Sequence, residues 1–189
     1  MTKRELRQLY KARRGELAGP QRLRFDDLMQ LQFQQFDYSG IGTLLTYWPM
    51  SSNAEPNTHL FSGYLRHMLP GLVIAYPKTD RQQYSINALA IHEETIYLTN
   101  EWGITEPTEG EPVDPEEIDL VFVPMLVCDV QGNRVGYGKG FYDRYLARCR
   151  EDVLKIGFSY FEPVEQITDT AEFDIPLTYC ITPSATYEF

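Results

Sequence analysis

Apolar side chains recur along the chain at two spacings, one helical and one extended. In residues 2–17, Leu6, Leu9, Tyr10 and Leu17 would lie on one side of a helix, which predicts a first, basic helix. The same spacing predicts a second helix over about residues 21–36 and a third that begins at Thr58 as its cap. A last helix is expected over about residues 140–150.

Short apolar runs between glycine, proline and polar residues predict strands. The run over residues 118–127, IDLVFVPMLV, is apolar almost throughout and rich in β-branched residues, as expected for a central strand of a parallel sheet. Residues 103–117 are rich in proline, glutamate and glycine and predict a surface connection. The other strand candidates are residues 43–48, 72–76, 84–91, 95–99, 154–160 and 177–182.

This alternation of strands and helices predicts the fold class. A chain of 189 residues is long enough for one domain with a proper core. No internal repeat or second core divides the sequence. We therefore expect residues 1–189 to form a single α/β domain with a mostly parallel sheet.

Charge is distributed unevenly and changes the picture at the N-terminus. The net charge of −10 argues against a nucleic-acid partner, because a phosphate backbone needs a basic face. Residues 1–24 nevertheless hold eight Lys and Arg and only two Glu. A basic stripe at helical spacing is formed by Lys3, Arg7, Lys11 and Arg14. It predicts either a local anionic partner or merely a solvated helix face.

Two further features bear on the cellular compartment of the protein. No stretch is apolar enough to span a membrane, and the charged first residues lack the apolar run of a signal peptide. Cys128, Cys149 and Cys180 are an odd number without paired spacing, which indicates free thiols in a reducing compartment. We expect a cytoplasmic protein without a membrane partner, and we expect it to be a monomer.

The candidate chemistry lies within residues 119–145, where a buried strand leads through turns into the sequence Gly136-Tyr137-Gly138-Lys139-Gly140 and a helix. Glycines let the backbone approach a ligand, and free amides at a helix start attract anions. Lys139 adds a mobile charge that can follow a transferring phosphate, and Asp143 in the first helical turn is a candidate magnesium ligand. The spacing GxGxG differs from the phosphate-loop and dinucleotide motifs, so a plain structural turn stays an alternative.

The stretch GNRVGYGKGFYDRYL, preceded by IDLVFVP, resembles the signature of the 5-formyltetrahydrofolate cyclo-ligase family. Three other segments are similar to that family: KRELR at residues 3–7, YWP followed by EPNT within residues 47–58, and EFDIP at residues 172–176. The resemblance implies a Rossmann-like, three-layer fold of the sugar-isomerase and CoA-transferase-like kind. It also implies a reaction with ATP and Mg²⁺ that converts 5-formyltetrahydrofolate to 5,10-methenyltetrahydrofolate, with release of ADP and phosphate.

The resemblance further implies roles for individual residues. Phosphorylation would turn the formyl oxygen into a leaving group, so that the second folate nitrogen can close the ring. The implied catalytic residues are Lys139, Arg134 and Tyr142, and the implied magnesium ligands are Asp143 and Asp174. The implied ATP-binding residues are Lys3, Arg4, Arg7, Arg134, Gly136, Gly138, Lys139, Gly140 and Tyr142. The implied folate-binding residues are Trp48, Glu55, Tyr137, Gly138, Lys139, Gly140 and Phe141.

The sequence departs from the family pattern at three positions. Met125 follows the strand proline where the family usually has glycine, Cys128 precedes the turn aspartate where an aromatic residue is usual, and Phe141 replaces a tyrosine. Two other functions stay open, and these departures favour the second of them. One is a phosphotransfer enzyme on the same scaffold with another small acid as substrate. The other is a regulatory protein that binds folate or a nucleotide without turnover.

Overall fold

The structure is a computed structural model that describes residues 1–80 and 82–189. Its α-helices are α1 Lys3–Glu16, α2 Gly19–Phe33, α3 Thr58–Met68 and α4 Phe141–Leu146. Its strands are β1 Thr43–Leu45, β2 Val73–Asp80, β3 Ser85–Ala90, β4 Tyr97–Thr99, β5 Thr105–Pro107, β6 Glu111–Val113, β7 Leu120–Val123, β8 Val127–Cys128, β9 Arg134–Val135, β10 Leu154–Phe158, β11 Tyr179–Ile181 and β12 Thr186–Glu188. Short 3-10 turns lie at Ser51–Asn53 and Pro115–Glu117.

One large sheet organises the described residues, in the strand order β12-β11-β10-β7-β1-β2-β3-β6. Its central strands, from β11 to β2, run parallel to their neighbours. The outer strands pair antiparallel, with β12 on β11 at one edge and β3 and then β6 beyond β2 at the other. The predicted α/β fold with a mostly parallel sheet is confirmed.

Helices cover both faces of this sheet. On one face, Phe33 of α2 and Phe61 of α3 pack on Phe122 of β7 and Phe158 of β10, and the rings of Phe61 and Phe158 stack with centroids 4.0 Å apart. On the other face, Tyr145 of α4 is buried in a second apolar cluster with residues of β1, β3 and β7. Each such buried side chain contributes roughly 1.5–3 kcal/mol of hydrophobic stabilisation, which makes the three-layer arrangement stable.

Helix α1 lies against a small hairpin beside the main sheet. Thr2 and Glu5 form a capping box at its start, in which the backbone amide of Thr2 donates to the Glu5 carboxylate at 2.8 Å. Leu6 and Tyr10 are buried with Val135 of the β8–β9 hairpin. The apolar side of the helix thereby holds its basic side next to the glycine turn that follows β9.

The predicted strand over residues 118–127 is wrong in one respect, since it is divided at Pro124. β7 ends at Val123, and β8 leaves the main sheet to pair antiparallel with β9. Proline has no N–H to donate to a strand ladder, which explains the break. The break turns the chain towards α1 and the glycine turn.

Other predicted element boundaries also differ from the structure. Residues 103–117 are not only a surface connection, because they contain β5, whose Glu106 is buried, and the sheet-edge strand β6. The last helix ends at Leu146 and not near residue 150. Thr58 is the first residue of α3 and not its cap, and its hydroxyl donates to the carbonyl of Tyr47 at 2.7 Å. Among the described residues, every helix is too short or too polar to cross a membrane.

Candidate active site

A cavity of about 810 Å³ opens at the carboxyl ends of β1, β2 and β7. In open sheets with parallel strands, ligands bind at this edge. The walls come from α1, the glycine turn, the start of α4, the β4–β5 hairpin and the loop around Asp174. Of the predicted site residues, Arg4 alone is outside the lining, and it is exposed on α1. The structure therefore brings together four segments that are far apart in sequence.

The glycine turn has a backbone that only glycine adopts easily. Gly138 has φ +88° and Gly140 has φ +67°, both in the left-handed region. A β-carbon at position 138 would lie 3.2 Å from the Arg7 guanidinium carbon, so glycine also permits this close approach. The carbonyl of Lys139 accepts a hydrogen bond from Arg144 at 2.6 Å, which fixes the turn from the helix side.

The helix after the turn is shorter than the sequence predicts. α4 has only six residues, so its dipole adds little to anion binding. The positive potential comes instead from side chains. The basic side chains that line the cavity are Lys3, Arg7, Lys11, Arg134, Lys139 and Arg144. In a chain of net charge −10, this local concentration favours an anionic ligand.

Lys139 is held over an aromatic wall. Its ammonium nitrogen lies 5.6 Å from the centroid of the Trp102 ring, and the Trp102 ring lies 6.0 Å from that of Phe141. A cation over an indole face is favourable and leaves the other side of the ammonium available to a ligand. Phe141 supplies an aromatic surface but lacks the hydroxyl group of the tyrosine that the family usually has at this position.

Two carboxylates face the cavity from different segments. Asp143 of α4 accepts from Arg134 Nη2 at 2.7 Å and from the backbone amide of Ile175 at 3.2 Å. Asp174 pairs with Lys3 and accepts from the amide of Ala171 at 2.6 Å. Because Ile175 directly follows Asp174, the two carboxylates are tied to one stretch of chain and border one space.

A further part of the cavity lining is formed by Glu55, Trp48 and Tyr137. The Glu55 carboxyl accepts from the backbone amide of Met50 at 2.7 Å through Oε2 and from the Tyr137 hydroxyl through Oε1. Burial raises the pKa of Glu55, and these hydrogen bonds and the nearby Arg14 charge oppose that shift. Trp48 is held edge-on to His59, with ring centroids 4.6 Å apart. The structure thus places Trp48, Glu55 and Tyr137 around one pocket end.

Tyr142 lies between the two ends. Its hydroxyl is buried and has no hydrogen-bond partner in the described part of the chain. Burial, with the nearby Glu55 carboxylate, raises the pKa of Tyr142 well above its ordinary value, so the hydroxyl stays protonated. A buried polar group without a partner is costly, and Tyr142 is one of the residues that line the cavity.

Sequence reasoning missed several lining residues. Trp102 stands on a loop without a recognisable motif. Phe173 lies in the family-like EFDIP segment but has no role implied by the resemblance, and it is 75% exposed beside Asp174. Tyr47 lies deeper, at the end of β1, next to Trp48. Exposed or half-exposed aromatic residues in polar loops are the one signal that pointed to Trp102 and Phe173.

Fold and site together define an α/β protein with a basic, partly aromatic cleft at the carboxyl ends of parallel strands. The sequence model of the 5-formyltetrahydrofolate cyclo-ligase family matches residues 1–183, and the chain belongs to this family. The family and fold expected from the resemblance are confirmed.

Individual relatives agree with this assignment. A 5-formyltetrahydrofolate cyclo-ligase from Mycoplasma genitalium is 38% identical over 69 residues, which are 36% of this chain and 42% of that protein. A mouse protein of the same name is 48% identical over 52 residues, 25% of this chain and 26% of the relative. The matched parts therefore span less than half of these relatives. The structure of 5,10-methenyltetrahydrofolate synthetase from Aquifex aeolicus superposes with a TM-score of 0.81 at 28% identity, covering 100% of this chain and 93% of that one.

Proposed function

We propose that this protein is a 5-formyltetrahydrofolate cyclo-ligase that uses ATP and Mg²⁺ to form 5,10-methenyltetrahydrofolate, ADP and phosphate in the cytoplasm. The observation that carries the proposal is a single cavity with two different ends. One end holds Lys3, Arg7 and the glycine turn, and the other holds Trp48 and Glu55. Lys139 stands at the turn between them.

The basic end suits a triphosphate. Arg7 donates to the carbonyl of Gly136 at 2.8 Å and lies across Gly138, so its remaining guanidinium hydrogens lie beside the turn amides. Charge-assisted hydrogen bonds of this kind are the strong ones for phosphate oxygens. Lys139 can follow the γ-phosphoryl group as it moves, because a lysine ammonium is a flexible point charge.

The two carboxylates fit a magnesium ion. Oδ2 of Asp143 and Oδ1 of Asp174 are without hydrogen-bond partners in the described part of the chain. Mg²⁺ usually takes one or two carboxylates and completes its shell with water and phosphate oxygens. No group of three or more His, Cys, Asp or Glu that could hold a metal occurs among the described residues, so water and phosphate oxygens would have to complete the shell. The ion would supply charge neutralisation for the phosphates.

The aromatic end suits the folate. Trp48 and Phe141 provide flat apolar surfaces for a pterin, and the Glu55 carboxyl can accept hydrogen bonds from its N–H groups. The formyl oxygen then attacks the γ-phosphorus and ADP leaves. The second folate nitrogen attacks the activated carbon and loses its hydrogen as a proton, the ring closes, and phosphate departs with the former formyl oxygen. The chain's residues position the two substrates and neutralise the moving charge.

The test is an optical assay for the methenyl product with 5-formyltetrahydrofolate, ATP and Mg²⁺. We expect product only when all three are present. Lys139→Ala should lower the rate by about 100-fold, because it removes a charge aimed at the transferring phosphate. Arg148→Ala removes one positive charge outside the cavity and should leave the rate within about twofold.

Other outcomes would favour the alternatives. A regulatory protein would bind 5-formyltetrahydrofolate or ATP without releasing ADP. A phosphotransfer enzyme with another substrate would release ADP with a different small acid and form no methenyl product. The proposal would be refuted if the unaltered protein formed no methenyl product in the presence of ATP.

A further inference from the structure

Arg14 differs from the other basic residues of the N-terminal stripe. Lys3, Arg7 and Lys11 face the cavity, whereas the Arg14 side chain is only 1% exposed at the end of α1. A buried guanidinium is costly unless its hydrogens are paired. It has no carboxylate at ion-pair distance within the described chain. Its position therefore needs another explanation than surface charge.

The partners of Arg14 are two carbonyls and a phenol. Nη2 donates to the carbonyl of Met125 at 2.6 Å and to that of Leu126 at 3.3 Å. Nη1 donates to the Tyr137 hydroxyl at 3.2 Å. The carbonyls belong to the bend that Pro124 creates after β7, and Tyr137 belongs to the glycine turn. One side chain of α1 thus holds both segments.

The hydrogen bond from Arg14 also fixes the direction of the Tyr137 hydroxyl. A phenol has one hydrogen to donate, and here its oxygen already accepts from Arg14. The hydroxyl hydrogen accordingly points to Oε1 of Glu55, to which Tyr137 donates. The other Glu55 oxygen is held by the Met50 amide at 2.7 Å. The carboxyl is thereby held from both sides at the aromatic end of the cavity.

We propose that Arg14 is a positioning residue for folate: it orients the Tyr137 hydroxyl and, through that hydroxyl, aims the Glu55 carboxyl at the pterin. Arg14 is not among the residues that line the cavity and would not touch either substrate. The inference rests on the proposed function, since it takes a folate as the ligand of Glu55. Arg14 also supplies a positive charge close to Glu55, which favours the ionised carboxylate that accepts hydrogen bonds from N–H groups.

A purely structural role for Arg14 makes a different prediction. If Arg14 only fastens α1, its loss would disturb Lys3 and Arg7 on the same helix. The binding of ATP would then weaken at least as much as the binding of folate. If Arg14 positions Glu55, the effect is selective for folate. The ratio of the two KM changes distinguishes these roles.

The experiment compares Arg14→Lys and Arg14→Gln with the matched control Arg13→Gln. Arg13 is exposed and lies over the Tyr10 and Phe161 rings, so the control removes the same charge from the same helix turn. We expect both Arg14 variants to raise KM for 5-formyltetrahydrofolate by about tenfold or more, with KM for ATP and kcat within about twofold. The control should change none of them by more than about twofold. Equal rises in both KM values would overturn the proposal.

A second variant keeps the test valid if the Arg14 variants fold poorly. Tyr137→Phe removes only the hydroxyl that links Arg14 to Glu55 and should raise KM for folate about as much as Arg14→Lys. In the Tyr137→Phe background, Arg14→Lys should then add little, because both changes break one chain of contacts. Fully additive effects would contradict the proposal.

Direct binding of 5-formyltetrahydrofolate without ATP separates this inference from the proposed function. Selective loss of folate binding in the Arg14 variants supports the positioning role even if the unaltered protein shows no turnover. Normal turnover with unselective losses refutes the positioning role alone. Absence of folate binding by the unaltered protein overturns both.

Discussion

Arg7 donates from Nε to the carbonyl oxygen of Gly136 at 2.8 Å and so joins the first helix to a turn 129 residues later in the chain. The same guanidinium lies against Gly138, where a β-carbon would be 3.2 Å from its central carbon. Helix and turn therefore form one wall of the cavity. Neither segment could present its cations to a phosphate in this geometry without the other.

A first prediction concerns the backbone of this wall. Gly138→Ala should lower kcat/KM at least tenfold and destabilise the fold by about 1–2 kcal/mol, because φ is +88° and the new methyl group meets Arg7. Thermal unfolding and steady-state kinetics measure both effects. Gly63→Ala is the matched control, since it lies in α3 with nothing near a new methyl group, and it should be neutral or stabilising. Equal behaviour of the two variants would be inconsistent with a strained, crowded Gly138.

A second prediction concerns the carboxylate of Asp143. Asp143→Asn keeps the side-chain shape but loses the charge that pairs with Arg134 at 2.7 Å and that would hold Mg²⁺. We expect kcat to fall by about 100-fold and the Mg²⁺ concentration for half-maximal rate to rise. The free energy of unfolding should change by only about 1 kcal/mol. Asp152→Asn removes a carboxylate from an exposed pair with Arg150 and should leave kinetics unchanged. An unaltered Mg²⁺ requirement in Asp143→Asn would argue against its role as a ligand.

A third prediction concerns pH. Burial raises the pKa of Glu55 above its ordinary value, so the carboxyl becomes protonated at a higher pH than an exposed glutamate does. A protonated carboxyl accepts fewer hydrogen bonds, and folate affinity should therefore fall as pH is lowered through this raised pKa. Titrations of 5-formyltetrahydrofolate binding over pH 5–8 measure it. Glu55→Gln should bind weakly with a flat profile across that range; the same slope in both proteins would assign the titration to another group.

A fourth prediction concerns the departure at Met125. The Met125 side chain is buried and occupies the space over Gly157, where a β-carbon would lie 2.7 Å from its methyl carbon. Met125→Ala should cost about 2–4 kcal/mol of unfolding free energy by leaving a cavity. Gly157→Ala alone should also destabilise, by crowding Met125 and Leu177.

The double variant of Met125→Ala and Gly157→Ala tests whether these two residues pack as a pair. It should be more stable than the sum of the single changes predicts, because the alanine at 157 enters space that the shortened side chain at 125 vacates. Chemical denaturation of the four proteins gives the coupling. Additive losses would show that the two sites are independent.

Much of the fold follows from local pattern. The buried faces of α1 and α3 correspond to apolar spacing in the sequence, because burial of one face requires a matching period. The continuous apolar run of β7 corresponds to a strand that is buried at every residue. The strand predictions fail where pairing between distant segments determines the structure. The division at Pro124 is visible as a proline, but only the pairing of β8 with β9 shows where the chain then goes. The edge strand β6 forms in a polar, proline-rich segment because β3 offers it a partner.

The candidate site shows the same division. The resemblance named the residues of the glycine turn and both aspartates, and the structure places them around one cavity, although their roles stay predictions. Arg14 had the same spacing as its solvent-facing neighbours, so the stripe alone could not distinguish a buried positioning group from a ligand contact. Trp102 and Phe173 lie in loops whose path depends on the whole sheet.

The sequence by itself determined the α/β class and the family, and it predicted a small set of glycines, cations and carboxylates for a phosphate site. Periodicity and short motifs carry these properties because they depend on neighbours within one turn or strand. The tertiary structure alone decided that Arg14 is buried, that Glu55 is held by Met50 and Tyr137, and that Asp143 and Asp174 border the same space. Apart from the contact between Glu55 and Met50, which are five positions apart, these relationships join residues about 30 to more than 120 positions apart. Only the packing of helices on the twisted sheet brings such distant residues together.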